Sequence, residues 1–349
     1  MKSIQLAGPY DLRLAEVERP HAGPGEMVIA VRAASICGSD VRMYKNGYKH
    51  ASEEHPLTLG HEFAGVIDEL GEGVPETYAV GDAVCAAPNY GCGTCDACVS
   101  GNTHLCADYH AFGIDIPGGF AEFVHVPAQI VSQGNVAHIP EGLSFAEAAL
   151  VEPLSCVFNG QEICGIESGD TVVVVGAGPI GIMHCLLARA RGAAKIILND
   201  LNEERVRAAA ELIGDIVALP GEGLGERVMA ETGGAGANVI IIAAPAAPAQ
   251  HESLEYAAMN GRCLFFGGLP AGKSEVALDA NLIHYKQLRI FGSARSNVRQ
   301  FRTCLELVAG GNIPLGNLIT KRYAIDDFQE AFDAAAAGTC LKNVIEFAG

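Results

Sequence analysis

The first 150 residues carry short runs in which apolar positions alternate with polar or small ones. Met27 to Ile36 and Phe120 to Val126 are the clearest examples, and Gly and Pro bound them. Side chains of a strand point alternately to its two faces, so alternating or β-branched runs are typical of β-strands. The pattern therefore predicts a mainly β region up to about residue 150.

The pattern changes after Leu143, where Ala and Leu recur at helical spacing. An apolar strand pattern at Thr171 to Val175 leads through a glycine-rich turn into a long helix pattern from Pro179 to Arg191. Further strand runs, separated by helical segments such as Asn202 to Ile213, lie at Lys195 to Leu198, Asn238 to Ile242 and Cys263 to Phe266. Strands that alternate with helices predict a doubly wound, parallel α/β sheet.

The last part of the chain lies beyond these parallel-strand units. After about Phe291 we predict a helix from Ser296 to Ala309, a charged helix near Asp326 to Ala335 and a final strand from Lys342 to Phe347. We expect this tail to rejoin the N-terminal domain. The predicted domains are residues 1–152, 153–292 and 293–349.

Composition and charge narrow the range of partners. The 349 residues are 49% hydrophobic and carry a formal net charge of −18, which argues against binding along nucleic-acid phosphates or anionic membranes. Met1 to Val17 lacks the apolar core of a secretory signal, and the apolar run from Val239 to Ala249 is too short to cross a bilayer. We therefore expect a cytoplasmic protein.

The glycine-rich turn matches the pattern G-x-G-x-x-G. Such a turn lets the backbone and the N-terminus of the following helix approach the pyrophosphate of a dinucleotide. Asp200 follows the next strand, where a carboxylate accepts hydrogen bonds from ribose hydroxyls and repels a 2′-phosphate. The pattern predicts that NAD is preferred to NADP and is bound by Gly176, Gly178, Pro179, Ile180, Gly181 and Asp200. A helix cap in front of Asn202 is the alternative role for Asp200.

Four of the twelve cysteines crowd into one loop with the spacing C-x2-C-x2-C-x7-C. Four thiolates at this spacing close a tetrahedron around Zn²⁺ and leave no open position, which makes such a site structural. The alternatives are an iron–sulfur cluster and free thiols that bind no metal. The spacing favours a structural zinc held by Cys92, Cys95, Cys98 and Cys106.

A second set of potential zinc ligands is dispersed along the chain. It comprises Cys37, the adjacent pair His61 and Glu62, and Glu152. Thiolate, imidazole and carboxylate all bind zinc, and three protein ligands leave a position for water or a substrate oxygen. The residues alone do not show that this set forms one site, because a lone buried Cys or His is more often structural.

A resemblance to a known family indicates that these dispersed ligands form one zinc site. The segment Gly60-His61-Glu62, followed by Gly65, Gly71 and Val74, matches the zinc signature G-H-E-x2-G-x5-G-x2-V. With this signature, the four-cysteine loop and the glycine-rich turn, the whole chain resembles the zinc-dependent medium-chain alcohol dehydrogenases. Within that family, Glu152-Pro153-Leu154-Ser155 resembles the sorbitol and polyol dehydrogenase branch. The resemblance implies a Rossmann domain, a mainly β GroES-like catalytic domain with a zinc lobe, and a homodimer or homotetramer.

The resemblance also implies roles at a catalytic zinc. Its ligands would be Cys37, His61 and either Glu62 or Glu152, together with a water. Ser39 would relay the substrate proton, and Asp40 would orient His61. Ser39 or Asp40 could at the same time cap a helix in front of Val41.

Further roles concern the cofactor and the substrate. By resemblance, the residues near NAD would be Arg205, Gly267, Gly268, Leu269, Ser293, Ala294 and Arg295. Tyr44 and Arg295 would contact the substrate. The alternative for both arginines is a solvated surface position.

Together these features predict an NAD-dependent enzyme with two Zn²⁺ per chain that interconverts a secondary alcohol and a ketone on a polyol or sugar. A sugar-phosphate dehydrogenase and a threonine-type dehydrogenase are the related alternatives. The threonine branch more often has Asp-Pro where Glu152-Pro153 stands, which counts against it. A non-catalytic dinucleotide-binding protein on the same fold is the alternative from another class.

Overall fold

The structure is a computed structural model that describes residues 1–348. It contains two compact units, one formed by residues 1–155 and 296–348 and the other by residues 156–295. The domain boundaries predicted after residues 152 and 292 stay a prediction. None of the helices in residues 1–348 has the length and apolar character that crossing a membrane requires.

The N-terminal part of the first unit is mainly β. Its strands are β1 (Lys2–Gly8), β2 (Asp11–Glu16), β3 (Met27–Ser35), β4 (Leu57–Thr58), β5 (Glu62–Leu70), β6 (Ala83–Ala86), β7 (Asn89–Tyr90), β8 (His110–Ala111), β9 (Phe123–Val126) and β10 (Val136–His138). Its helices are α1 (Gly38–Asn46), α2 (Asp96–Val99), α3 (Ala128–Ser132) and α4 (Phe145–Ala149), with a short 3-10 helix at Thr103–Leu105.

Helices and parallel strands alternate in the next part of the chain. In order they are α5 (Val151–Cys164), β11 (Thr171–Val175), α6 (Pro179–Ala190), β12 (Lys195–Asn199), α7 (Glu203–Ile213), β13 (Val217–Ala218), α8 (Leu224–Glu231), β14 (Ala237–Ile242), α9 (Ala247–Glu252), β15 (Ala257–Phe265), α10 (Ala280–Lys286) and β16 (Arg289–Gly292). The six strands form one parallel sheet in the order β13-β12-β11-β14-β15-β16. This is the doubly wound order 3-2-1-4-5-6, so the predicted Rossmann sheet is confirmed.

The tail returns to the first unit. It comprises α11 (Val298–Ala309), β17 (Ile319–Ala324), α12 (Phe328–Ala337) and β18 (Lys342–Glu346), with short 3-10 helices at Leu315–Leu318 and Ile325–Asp327. Strand β18 pairs with β17 and with β3, in a sheet of order β10-β6-β5-β3-β18-β17 to which β9 also pairs. Strand β3 therefore lies between β5 and β18.

Each unit has its own apolar core. In the first unit, edge-to-face ring contacts join Phe63 to Phe112 and Phe120 to Phe332. In the second, the central strands β11 and β14 are buried on both faces, as expected of a parallel sheet covered by helices. The continuous apolar run of β11 is a consequence of that burial.

Candidate active site

Three side chains from neighbouring elements form one group of potential zinc ligands. Cys37 is the N-cap of α1, just after β3, while His61 directly precedes β5 and Glu62 is the first residue of that strand. Because β3 and β5 are antiparallel, with Ser35 opposite Glu62, the end of one strand meets the start of the other. The ligand atoms of the three residues all lie within 4.8 Å of one another. The fold thus joins residues that are separate in the sequence.

Close packing explains the glycines of the zinc signature. Gly60 has a φ of +93°, and a Cβ there would lie 2.9 Å from the backbone nitrogen of Phe120. A Cβ at Gly65 would lie 2.2 Å from the carbonyl oxygen of Ala30. Both distances are too short for any other residue, so these glycines fix the path of the chain around the two ligands of β5.

Two polar side chains of α1 accompany the group. The buried carboxylate of Asp40 accepts the backbone N–H of Cys37 at 2.9 Å, and its other oxygen lies 3.6 Å from Nδ1 of His61. The hydroxyl of Ser39 lies 3.4 Å from Nε2 of the same ring. Helix α1 begins at Gly38 with Cys37 as N-cap. Ser39 and Asp40 therefore stand inside its first turn, so the predicted helix start in front of Val41 is wrong, but the carboxylate of Asp40 does cap the helix by accepting the N–H of Cys37.

The charges around His61 suit a metal cation. Burial disfavours the imidazolium, but the carboxylate of Asp40 and the thiolate of Cys37 outweigh it and raise the pKa of His61 well above its ordinary value. The same negative groups would favour a metal cation in place of that proton. The donor set is therefore suited to zinc, which supports the predicted catalytic metal.

Lys342 is a neighbour of this group that the sequence analysis missed. Its Nζ donates to Oε2 of Glu62 at 2.6 Å and to the carbonyl oxygen of Ile36 at 3.0 Å. Burial alone would lower the pKa of Lys342, but Glu62 and Cys37 raise it above its ordinary value, so the side chain is a cation. The only feature of the sequence that could have indicated this contact is a lysine at the start of the apolar strand Lys342 to Phe347.

Glu152 lies outside the group. Among residues 1–348 the metal-ligand group around Cys37 contains only His61 and Glu62 besides it. Glu152 is buried in the first turn of α5, where its carbonyl oxygen accepts the hydroxyl of Ser155 at 2.6 Å. The structure therefore favours Glu62 over Glu152 as the third ligand.

The four cysteines of the loop also lie together. The sulfur atoms of Cys92, Cys95, Cys98 and Cys106 are all within 4.8 Å of one another, and none of the four is in a disulfide. A Cβ at Gly91 would lie 2.7 Å from the sulfur of Cys98, so this position has room only for glycine. Backbone N–H groups of Thr94 and Cys95 lower the pKa of Cys92 to about 6, which favours the thiolate that binds zinc, whereas burial raises the pKa of Cys98 to about 12, so this thiol would lose its proton when the metal binds. Four thiolates suit a closed, structural zinc site.

The glycine-rich turn has the geometry of a phosphate cradle. Gly176 has a φ of +115°, and a Cβ at Gly181 would lie 1.7 Å from the carbonyl oxygen of Gly176. At Gly178, by contrast, a Cβ would meet no atom within 4 Å, which leaves space above the backbone. Pro179 and Ile180 open α6 at this point, and a helix N-terminus attracts an anion. The turn therefore fits a dinucleotide pyrophosphate.

Asp200 stands beside this turn. Val175 and Asn199 are paired in β11 and β12, so the residues that follow them emerge at the same edge of the sheet. The carboxylate of Asp200 accepts the N–H of Ala177 at 2.9 Å and that of Asn202 at 3.0 Å. The helix cap is Asn202 itself, whose side chain accepts the N–H at position 205. The capping role of Asp200 is therefore wrong, and its oxygens keep further lone pairs for ribose hydroxyls.

A second loop at this edge is held by residues that the sequence analysis did not single out. Asn199 donates to the carbonyl oxygens of Leu219 and Gly221 at 2.6 and 2.9 Å. Arg227 donates to four carbonyl oxygens in residues 220–223. These bonds fix the chain next to Asp200. No sequence pattern marks them, because the acceptors are backbone atoms.

The remaining predicted cofactor residues lie in three places of the second unit. A Cβ at Gly267 would lie 2.6 Å from the carbonyl oxygen of Ala244, while Gly268 is open and is followed by Leu269. The backbone oxygens of Ala294 and Arg295 accept Nδ2 of Asn159 at 3.3 and 2.9 Å. The buried hydroxyl of Ser293 has no hydrogen-bond partner within residues 1–348, and Arg205 is exposed on α7.

Tyr44, predicted to contact the substrate, is buried in the first unit. Its ring makes edge contacts with Tyr10 and Phe332. Its hydroxyl lies 3.5 Å from the carboxylate of Asp333 and accepts from Gln329 at 3.0 Å. These contacts give Tyr44 a packing role, and its role toward substrate stays a prediction.

Comparison with known proteins places this geometry in a family. A family model described as an alcohol dehydrogenase GroES-like domain matches residues 23–140, and one described as a zinc-binding dehydrogenase matches residues 179–310. The chain is 35% identical to an L-threonine 3-dehydrogenase of Pyrococcus horikoshii, over 99% of this chain and 98% of that protein.

Two solved structures extend the comparison. One, from Escherichia coli, is described as a short chain alcohol dehydrogenase complexed with NADH; it is 32% identical, covers 99% of both chains and has a TM-score of 0.89. The galactitol-1-phosphate dehydrogenase of E. coli is 26% identical over 99% of this chain and 100% of that one, with a TM-score of 0.88.

These matches confirm the predicted family, its GroES-like and Rossmann fold, its enzymatic nature and its zinc and nicotinamide dinucleotide cofactors. For the substrate they support the threonine-type alternative better than the polyol prediction, because the curated relatives with about a third of their residues identical are L-threonine 3-dehydrogenases. The chain belongs to the zinc-binding alcohol dehydrogenase family.

Proposed function

We propose that this chain catalyses the NAD-dependent oxidation of a secondary alcohol to a ketone, with L-threonine as the leading substrate. The observation that carries the proposal is the group of Cys37, His61 and Glu62. Three ligands of mixed type leave a position open to a substrate oxygen. The choice of L-threonine rests on the 35% identity to the Pyrococcus enzyme.

The side chains around the group have distinct tasks in this proposal. Zinc would be held by Cys37, His61 and Glu62 and would supply Lewis acidity that lowers the pKa of an alcohol. Asp40, 3.6 Å from Nδ1 of His61, keeps the imidazole in orientation. The Oγ of Ser39, 3.4 Å from the other ring nitrogen, accepts the proton of the substrate hydroxyl while it releases its own proton to water. Bound NAD would accept the hydride from the carbon that carries this hydroxyl.

The proposal includes a preference for NAD. Asp200 is fixed by two backbone N–H groups, so its negative charge cannot easily move away from a 2′-phosphate. The same carboxylate accepts hydrogen bonds from the two hydroxyls of an unphosphorylated ribose. This supports NAD as the working cofactor.

A polyol, free or phosphorylated, is the second candidate substrate. It is favoured by the segment Glu152-Pro153-Leu154-Ser155 and by the similarity to galactitol-1-phosphate dehydrogenase. Arg295 suits either substrate, because a guanidinium pairs with the carboxylate of an amino acid and also donates to hydroxyls. Only kinetics separates the two candidates.

The test is NAD reduction by the zinc-loaded full-length protein with L-threonine, sorbitol, galactitol 1-phosphate and 2-butanol. We expect the highest kcat/KM for L-threonine, by about tenfold or more, since a site built for a charged group rejects analogues that lack it. A higher kcat/KM for a polyol would favour the second candidate. Absence of turnover with all four, in protein that binds NADH and two zinc ions, would reject both substrates.

Two further expectations remain predictions. They are a homodimer or homotetramer and a cytoplasmic location. Light scattering coupled to gel filtration measures the first directly.

A further inference from the structure

Lys342 is placed at the zinc-ligand group by the sheet rather than by sequence proximity. Ser35 of β3 lies opposite Glu62 of β5 on one side and opposite Val344 of β18 on the other. Lys342, two residues before Val344, points to the same face of β18 as that residue. The returning tail thus delivers a cation to Glu62.

The two carboxylate oxygens of Glu62 have different surroundings. Oε2 accepts from Lys342 at 2.6 Å, whereas buried Oε1 has no hydrogen-bond partner within residues 1–348. The side chains are 0% exposed for Glu62 and 5% for Lys342. A buried ion pair constrains both partners, because separating the charges in a nonpolar interior is costly. One oxygen is therefore held, and the other is available to the metal.

The charges of the site balance only when the lysine is counted. With zinc bound, the thiolate of Cys37 and the carboxylates of Asp40 and Glu62 would bring three negative charges to the site. The zinc ion and Lys342 would bring three positive ones. Buried sites of this kind are stable when their charges are paired, so the lysine shares the carboxylate of Glu62 with the metal.

We propose that Lys342 is a positioning residue that restrains Glu62 and thereby weakens its hold on the catalytic zinc, so that the tail strand β18 sets how fast this zinc leaves the site. The inference rests on the proposed zinc site of Cys37, His61 and Glu62. Lys342 acts through Glu62 and not on the substrate.

The experiment measures zinc release from the full-length holoprotein into a chromophoric chelator. The kinetic phase of zinc release that is absent in Cys37→Ser belongs to the catalytic zinc. In Lys342→Met, which keeps the length of the side chain but not its charge, we expect this phase to slow by about tenfold or more, since Glu62 turns to the metal as its remaining cation. Lys342→Arg should restore a rate within about threefold of wild type.

Matched controls separate this effect from a general change in structure. Lys321→Met removes an exposed lysine of the neighbouring strand, paired with Glu330, and should leave the release rate unchanged. In a Glu62→Gln background, Lys342→Met should change the rate by less than about threefold, because the lysine acts through the carboxylate. Zinc release from the four-cysteine lobe, the loop that carries Cys92, Cys95, Cys98 and Cys106, should have the same rate in all variants.

The outcomes are distinguishable. Release from Lys342→Met at the wild-type rate or faster would overturn the inference while leaving the proposed function intact. If Lys342→Met does not fold, Glu62→Gln decides: we expect release about tenfold faster, since the metal then loses the carboxylate through which the lysine acts, and an unchanged rate would overturn the inference. Wild-type protein with only the lobe zinc would instead reject the proposed zinc site.

Discussion

The two groups of zinc ligands differ in how the chain builds them. The lobe takes four identical thiols from one stretch, Cys92 to Cys106. The other group takes a thiol from the junction of β3 with α1 and an imidazole and a carboxylate from the start of β5, and it has the charges of Asp40 and Lys342 beside it. A site that only holds a metal can be local and uniform. A site that must also exchange ligands needs tertiary structure to set its charge.

The difference between the two groups would disappear if the zinc lobe, the loop from Cys92 to Cys106, had no structural role. We expect Cys95→Ser to lose one zinc and about 5 kcal/mol of folding stability, which lowers the melting temperature by about 10 °C or more. Cys340→Ser, which changes a half-buried cysteine outside both groups, should melt like wild type. Elemental analysis and calorimetry make the measurement. A variant that loses the zinc but melts normally would show that the lobe does not support the fold.

The opposite result is expected at the dispersed group. His61→Ala should lose the other zinc and lower kcat/KM by about a thousandfold or more, since Lewis acidity contributes several kcal/mol to the transition state. Its melting temperature should stay within a few degrees of wild type. His138→Ala, an exposed histidine of the same unit paired with Asp82, is the control. Full activity in His61→Ala would remove this group from catalysis.

The dinucleotide site combines both ways of building a site. Its glycines are neighbours in one turn, whereas Asp200 follows the next strand. Asp200→Asn keeps the shape of the side chain and removes its charge. We expect the ratio of kcat/KM for NAD to that for NADP to fall by about a hundredfold. Glu204→Gln removes an equal charge from the exposed first turn of α7 and should change the ratio little. An unchanged ratio in Asp200→Asn would mean that another residue selects the cofactor.

The same distinction explains what the sequence could predict. The strand β11 with its turn and the C-x2-C-x2-C-x7-C loop are local patterns, and the structure contains both. Helix α1 starts at Gly38 rather than near Val41 because Cys37 caps it, a detail of backbone geometry. Strand β15 begins at Ala257, ahead of the predicted Cys263, since Asn260 and Gly261 interrupt its apolar pattern.

Tertiary contacts account for the features that the sequence could not reveal. The pairing of Lys342 with Glu62 spans 280 residues and depends on the order of strands in the sheet. That Glu62 rather than Glu152 joins the metal-ligand group likewise depends on where β5 and the first turn of α5 lie in the first unit. Substrate choice rests on side chains whose partners are outside the chain, and the sequence pattern alone favoured the polyol.

Arg295 tests whether substrate recognition can be separated from metal chemistry, and its expected effect is the smallest. Its backbone has a φ of 57° in the left-handed region, and Asn159 holds its carbonyl oxygen, so the side chain leaves from a fixed point. If its guanidinium binds the carboxylate of L-threonine, Arg295→Ala should lower kcat/KM for L-threonine by about tenfold, close to the worth of one charged hydrogen bond. For 2-butanol, which has no group to pair with it, the loss should stay below about threefold. Arg289→Ala, in the exposed start of β16, controls for the change in charge. Equal losses with both substrates would mean that Arg295 supports the site as a whole and does not select the substrate.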